Sequence, residues 1–202
     1  MKQQKSELFQ IKDFILIGVL SAVFFAVYMV IAMVTAMASP VVHIFSPAIN
    51  GIVGGIIYLL LISKIPKKGV FTISTIIVMV LFQFTGGGYL PWFITTLLSA
   101  VIADLICMPT RYSHFKSIAL GFGIMITGQA LGNVIPVVIF AESFRNDFIS
   151  RGVDPAFLDP MIQFIEGPMS IVILVISFAG GVFGMLLGKR LLNKHFKKAG
   201  IV

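Results

Sequence analysis

The sequence predicts an all-α integral membrane protein with six transmembrane helices, cytoplasmic N and C termini, and short amphipathic helices in the outer loop between helices 5 and 6. The first observation is composition: 58% of the 202 residues are hydrophobic and 11% are charged, which is too little polar surface for a soluble globule. The second is that uncharged apolar runs long enough to cross a bilayer recur along the chain. The third is that Lys and Arg cluster beside these runs, so the net charge of +7 indicates a membrane surface and argues against nucleic acid as a partner.

Breaks in the apolar pattern divide a single membrane domain, residues 1–202, into its helices. The run that follows Lys12 is far longer than a signal-peptide core of about 7 to 15 residues, so it is predicted to be a retained helix. Ser46-Pro47 has the form of an N-cap followed by proline at the first helical position. Helix 3 is short for a bilayer and ends in a segment interrupted by Gly and Pro, residues 85–92, and such interruptions point to binding sites. The predicted spans are 14–38, 46–63, 70–84, 90–108, 115–141 and 168–190.

The segment 142–166 differs in kind from the spans. It holds five acidic residues against two arginines, interleaved with phenylalanines, and Asp154-Pro155 is a helix start signal. One or two short amphipathic helices on the membrane surface are therefore predicted here. A loop of this length is typical of a functional lid or of a disordered segment, and the regular aromatic residues argue against disorder.

The distribution of basic residues predicts the orientation. With six spans, the termini and the even-numbered loops hold thirteen of the fifteen Lys and Arg residues, so both termini are predicted to be cytoplasmic. Polar and aromatic side chains from separate helices then come to one depth near the outer surface, a pattern that suits a small polar, partly aromatic solute. The candidate substrate-binding residues are Asn133, Gln129, Trp92, Tyr89, Gln83, Asn50, His43, Gln163 and Glu166.

Several of these residues have an alternative explanation that the residues alone leave open. Gln129 and Asn133 share one face of helix 5, where an unpaired amide in hydrocarbon is costly. Interhelical hydrogen bonding and contact with a ligand explain this pair equally well. Trp92 fits either an interfacial aromatic belt or the wall of a pocket.

No arrangement in the sequence predicts catalysis or metal binding. His43, His114 and His195 are dispersed over opposite sides, Cys107 is the single cysteine and a small apolar filler, and no motif supplies an activated nucleophile or a nucleotide site. Asp104, near the inner end of helix 4, is close enough to the interface to pair with Arg111 or to reach water, so a structural role is expected. The chain is therefore predicted not to be an enzyme.

Helix 1 carries a stripe of small residues on one side, which permits close contact with another helix. Packing within the same chain and docking of another subunit both explain such a stripe. Its members are Gly18, Ala22, Ala26, Ala32 and Ala36.

In length, six spans and a basic tail at residues 189–198, the chain resembles the substrate-binding S components of energy-coupling factor (ECF) transporters, and among them the group called Trep_Strep. Helix 1 is also similar, because small residues spaced by four form the contact with the transmembrane coupling subunit in that family. The positions that match are Ala22 with Ala26, and Ala32 with Ala36.

The resemblance implies a multi-pass protein of the bacterial plasma membrane that captures a vitamin or related small heterocycle, with a pyrimidine- or pyridoxine-like ring as the candidate guest. It implies a coupling subunit and two ABC ATPases as partners within the lipid bilayer. ATP and Mg would be used by those ATPases, and this chain would hold no cofactor.

Two other functions stay open at this stage. A self-sufficient secondary carrier or facilitator for a small polar solute would rock on the glycine faces of helices 5 and 6. A scaffold protein would use its buried amides only to hold helices together.

Overall fold

The computed structural model describes residues 8–86 and 88–196, and within these ranges all regular secondary structure is helical. This confirms the predicted all-α class. Four of the lysines counted in the distribution of basic residues lie outside the described residues: Lys2, Lys5, Lys197 and Lys198. The same holds for Gly87 of the interrupted segment. The helices are α1 Ile11–Ala38, α2 Pro40–Ile44, α3 Ser46–Lys64, α4 Val70–Phe84, α5 Leu90–Cys107, α6 Phe115–Ser150, α7 Pro155–Ile165 and α8 Met169–Leu191, with a short 3-10 turn at Met108–Thr110 and a π turn at Leu192–Phe196.

Five of these helices are long and apolar enough to cross a membrane: α1, α3, α5 with its following turn, α6 and α8. α4 is the exception, because its 15 residues extend about 22 Å at about 1.5 Å per residue, against a hydrocarbon core of about 30 Å. The sequence therefore predicts six spans where the described residues contain five helices of full length.

Glycines set the closest helix contacts. α3 and α8 run parallel with their glycine faces together, so that a Cβ atom on Gly51 would lie 2.8 Å from the backbone nitrogen of Gly181. α5 lies against α6 in the same way, since a Cβ atom on Gly132 would lie 2.5 Å from Trp92 Cα. Contact through Gly128 and Gly132 turns this flank of α6 toward α5 and leaves the neighbouring flank, with Gln129 and Asn133, for other partners.

The buried carboxylate of Asp104 holds the start of α4. It accepts hydrogen bonds from the backbone N–H groups of Phe71 and Thr72, from Thr72 Oγ1 at 2.6 Å and from the Tyr112 hydroxyl at 2.7 Å. Its role is structural, as predicted, but the partner is the N-terminus of a neighbouring helix, where a negative charge is favoured. Arg111, which the sequence offered as its partner, is exposed and forms no ion pair with it.

Further contacts gather the basic segments at one end of the bundle, which we call the basic end. Lys67 in the α3–α4 connection forms an ion pair of 2.6 Å with Asp13 near the start of α1. Lys189 near the end of α8 lies 4.5 Å from the ring centroid of Phe115 at the start of α6. The opposite end carries α2, the bend in α6, and α7.

α6 does not end where the sequence predicted. Phe140 leaves the helical conformation, with φ −137° and ψ 44°, and the chain then resumes a helix as far as Ser150. Pro136 lies one turn before this bend and removes a backbone donor from the helix. The predicted limit at residue 141 therefore marks a bend, and the predicted loop contains the end of α6 as well as α7.

α7 is an amphipathic helix that follows this bend. Asp154 caps its N-terminus by accepting a hydrogen bond of 2.8 Å from Ala156 N, and Pro155 occupies the first turn. Leu158, Met161 and Ile165 on its apolar face are buried. α7 thereby covers one end of the helix bundle.

Candidate functional site

A cavity of about 190 Å³ lies beneath α7, where α2, α6 and α8 meet the end of α1. Its wall is mainly apolar, as is usual for small-molecule sites. The residues that line it are Ala36, His43, Ile44, Ala130, Asn133, Val134, Phe144, Phe148, Val153, Phe157, Leu158, Met161, Ile165 and Ile173.

Asn133 supplies an unpaired amide to this cavity. Its side chain forms no hydrogen bond with any other residue in the ranges 8–86 and 88–196, although it lies in a largely apolar wall. An amide in such surroundings is stabilised only when its donor and acceptor are satisfied. The side chain can therefore offer both a donor and an acceptor to a molecule in the cavity.

His43 is the second polar group in the wall. Its Nδ1 lies 3.1 Å from Thr35 Oγ1, and the single hydroxyl hydrogen of Thr35 is directed to the Ile31 carbonyl at 2.7 Å. In the neutral tautomer that carries its proton on Nδ1, this nitrogen donates to Thr35 and Nε2 is an acceptor. Burial lowers the pKa of His43, and a backbone hydrogen bond with Ala32 opposes this shift only in part, so the ring is neutral at neutral pH.

Aromatic rings form one side of the cavity. Phe144 and Phe148 pack with ring centroids 4.5 Å apart, and Phe157 faces His43 at 5.8 Å. Tyr89 supports this wall from behind, with its ring 5.1 Å from Phe148 and 5.9 Å from Phe144. Rings arranged in this way suit a flat or aromatic guest.

Arg151 fastens the wall to the connection between α4 and α5. Its guanidinium donates to the Gly88 carbonyl at 2.7 Å, pairs with Asp147 at 3.0 Å and lies 5.7 Å from the ring centroids of both Tyr89 and Phe148. We call this group the Arg151 clamp.

A family model described as a hypothetical bacterial integral membrane protein, Trep_Strep, matches residues 11–198. The chain belongs to the Trep_Strep family. Comparisons with curated proteins and with solved structures give no match. Together with its apolar helices, the family description makes this Trep_Strep protein a multi-pass protein of a bacterial cell membrane.

Two of the nine predicted substrate-binding residues of this Trep_Strep protein, Asn133 and His43, line the cavity. Asn50 and Gln129 lie outside its wall and are bonded to each other, with Asn50 Nδ2 donating to Gln129 Oε1 at 3.3 Å. This bond is the interhelical contact that the sequence left open for Gln129. Asn50 Oδ1 is buried without a hydrogen-bond partner among the described residues.

The other predicted residues have different surroundings. Trp92 is buried in the core between Phe82 and Tyr28, with ring centroids 5.0 and 6.1 Å away, so it lies neither in the cavity wall nor in an interfacial belt. Tyr89 lies behind the cavity wall, and Gln83 is exposed at the end of α4. Gln163 and Glu166 are exposed and line a separate depression of about 240 Å³.

Sequence reasoning missed most of the wall. The sequence pattern presents Phe144, Phe148 and Phe157 only as regular aromatic residues in a long loop. Their spacing contains a signal, because residues 144 and 148 lie on one face of a helix. That signal places two rings together but does not show which helix they face.

The small residues of α1 fall into two groups. Ala22 and Ala26 are exposed, and Gly18 has open space beside it. Ala32 and Ala36 are half-buried, and Ala36 lines the cavity. The first group therefore offers a free smooth surface, whereas the second is partly covered by the protein.

Proposed function

We propose that this Trep_Strep protein is the solute-capturing S subunit of an ECF-type importer, which binds a vitamin or related small heterocycle and delivers it through a coupling subunit and an ATPase pair. The cavity beneath α7 carries this proposal, because it presents the unpaired amide of Asn133 and the neutral ring of His43 among aromatic side chains. A guest that satisfies these groups would remove the cost of leaving a polar side chain unpaired.

The charge distribution supports capture at the outer surface. The basic end of the bundle carries Lys64, Lys67, Lys68 and the other basic loops, and the positive-inside rule assigns such an end to the cytoplasm. The cavity lies at the opposite end. In this orientation both termini are cytoplasmic, and α7 covers the cavity from the outside.

We assign α4 as a sixth, shortened span. One of its ends is held at the basic end by Asp104, and Gly88, just beyond its other end, contacts Arg151. α4 with its following turn therefore connects the two ends of the bundle, although the helix alone is shorter than a bilayer. Irregular backbone at such depth is tolerated where protein covers it, and here the Arg151 clamp provides the cover.

The exposed surface of α1 supports docking of a coupling subunit. Gly18, Ala22 and Ala26 follow one another at four-residue spacing on a helix that is mostly exposed, and such surfaces permit close approach of a second helix. ATP and Mg would be used by the partner ATPases. In this proposal the chain itself has no catalytic site and no cofactor.

The test of capture is native mass spectrometry of the purified chain, and we expect one small organic molecule in stoichiometric amount. Asn133→Leu should remove most of this molecule, whereas Gln163→Leu, on the exposed face of α7, should retain it. Absence of any bound molecule from the wild-type protein, together with an Asn133→Leu effect on stability alone, would leave only a scaffold role.

The test of assembly is copurification with a coupling subunit and two ATPases. Ala22→Trp or Ala26→Trp should weaken the complex, whereas Val34→Trp, exposed on another face of α1, should not. A self-sufficient carrier is the alternative. Uptake by the purified chain alone in liposomes without ATP would establish that alternative and overturn the importer.

A further inference from the structure

The wall of the cavity offers no partner for a charged guest. Among the described residues that line it, none is Asp, Glu, Lys or Arg. The nearby charges lie outside the wall: Arg151 pairs with Asp147, and Arg145 pairs with Asp159 at 2.6 Å beside the separate depression, where Glu142 and Glu166 are exposed. Asp154 is exposed and caps α7.

The size of the cavity limits the guest to one ring. An apolar cavity of about 150 Å³ accommodates benzene, whereas pockets for drug-sized ligands are about 300–1,000 Å³. The 190 Å³ beneath α7 therefore fit a six-membered ring with a small substituent. A fused two-ring system exceeds this volume.

The two polar groups define what the ring must offer. His43 Nδ1 is directed to Thr35, so Nε2 is left for the guest and accepts a hydrogen bond when the ring proton is on Nδ1. The Asn133 amide can donate and accept. A guest with one hydrogen-bond donor and one acceptor on its ring or substituent satisfies both side chains.

We infer that the cavity selects an uncharged single-ring solute carrying a hydrogen-bond donor, and rejects an ionised solute of the same shape. This inference rests on the proposed function of the cavity as the capture site. Its physical basis is that an ion transferred from water into an apolar cavity loses its hydration and gains no countercharge, whereas a neutral polar group exchanges hydrogen bonds with water for hydrogen bonds with Asn133 and His43.

Pairs of amides and carboxylates test the selection, because their members have nearly the same shape. The full-length protein in lipid nanodiscs, freed of copurified solute, is titrated at neutral pH with nicotinamide and nicotinate, benzamide and benzoate, and orotamide and orotate. We expect at least one neutral member to bind, with its carboxylate at least about 100-fold weaker. Quinoline-3-carboxamide, which adds a second ring, should bind at least about tenfold more weakly than nicotinamide.

The site of binding is checked with variants. Asn133→Leu should weaken the neutral ring about tenfold or more, and the exposed control Gln163→Leu should not. Asn133→Asp introduces a carboxylate into the cavity, so it should weaken orotamide and benzamide but improve binding of the cation 4-aminopyridinium.

Equal affinity for an amide and its carboxylate overturns the inference, as does failure of all three neutral rings to bind at millimolar concentration. Neither result touches ATP-driven uptake by the assembled complex, which tests the importer separately. Conversely, if the purified protein binds a neutral ring but no coupling subunit copurifies with it, the importer proposal is overturned and the selectivity of the cavity remains.

Discussion

The Arg151 clamp fixes the aromatic side of the cavity, and its removal is expected to speed release of a bound guest. The same guanidinium contacts the Gly88 carbonyl, the Asp147 carboxylate and the faces of Tyr89 and Phe148. Because Phe148 lines the cavity, Arg151 fixes both the connection before α5 and part of the aromatic wall. Arg151→Gln keeps a polar side chain but loses the charge and the fork of donors.

The expected effect is moderate, since the Arg151 side chain is 39% exposed. An exposed ion pair contributes up to about 1 kcal/mol, and a cation–π contact at an exposed site about 0.5–1 kcal/mol. With the hydrogen bond to Gly88 discounted for solvent, we expect a loss of about 1–2 kcal/mol in closure of the cavity. At about 1.4 kcal/mol per factor of ten, dissociation of the guest should be roughly 5- to 30-fold faster.

The assay is the dissociation rate of radiolabelled nicotinamide, or of the copurified solute, after dilution. Arg145→Gln is the matched control, because Arg145 also pairs with an acid, Asp159, but lines the exposed depression instead of the cavity. Equal rates for wild type and Arg151→Gln, or an equal acceleration by both variants, would refute the role of the clamp.

Three further predictions concern stability and pH. Asp104→Asn should lower the free energy of unfolding by about 2–4 kcal/mol in SDS titrations, because the Asp104 carboxylate accepts four hydrogen bonds. The control Asp154→Asn keeps a capping side chain at the start of α7, so it should change the free energy of unfolding by less than about 0.5 kcal/mol. Gly55→Ala should destabilise by about 1–3 kcal/mol because its Cβ meets the backbone of α8, whereas Gly18→Ala, in open space, should be neutral or stabilising in the same titration. Burial lowers the pKa of His43 below its ordinary 6.5, so the unfolded chain takes up the proton first as the pH falls. Both the stability of the fold and the affinity for the guest should therefore fall as the pH drops from 6.5 through the lowered pKa of His43. His43→Gln should remove this pH dependence in thermal and binding titrations.

Each of these predictions has an outcome that contradicts it. Equal losses for the two Asp variants would mean that the donors around Asp104 find other acceptors. Tolerance of Gly55→Ala would mean that α3 and α8 are farther apart than described. An acid-induced loss that persists in His43→Gln would assign the titration to another group.

Local chemistry made the helix boundaries predictable. Asp154 satisfies a first backbone donor of α7, and Pro155 fixes the entering φ angle. α3 also begins at its predicted signal, but the prediction of Ser46 as its N-cap is wrong, because Ser46 is already helical and Phe45 occupies the cap position without a side-chain hydrogen bond. The predicted end of helix 5 at residue 141 lies next to the bend at Phe140, but the helix resumes there and does not end. Nothing local distinguishes a helix that ends from one that bends and resumes, because that choice depends on the packing of Phe144 and Phe148 against Tyr89.

The sequence does not predict which residues contact one another in the tertiary structure. A buried carboxylate such as Asp104 is known to need donors, but the donors come from α4 and Tyr112 instead of Arg111. The depth of a residue in the membrane likewise does not determine whether its side chain lines the cavity. Trp92 and Asn133 are predicted at one depth, yet Trp92 faces α1 and α4, whereas Asn133 faces the cavity.

The glycine stripe of α6 fixes the rotation of this helix about its axis, which the depth of a residue in the membrane does not fix. Gly128 and Gly132 contact α5 so closely that a side chain has no room there, and this fixes which way the rest of the helix faces. Gln129 and Asn133 each follow one of these glycines by one residue, which is about 100° around the helix. Their flank is thereby directed away from α5, with Gln129 meeting Asn50 and Asn133 meeting the cavity.

The way in which the cavity is built predicts that a guest stabilises the fold. Its wall is assembled from α1, α2, α6, α7 and α8, so it exists only in the folded chain. Phe148 in this wall is contacted by both Tyr89 and Arg151, which ties the guest site to the connection before α5. A solute that binds the folded chain and not the unfolded chain stabilises the fold by mass action, so the melting temperature should rise with the concentration of a neutral ring and should not respond to its carboxylate.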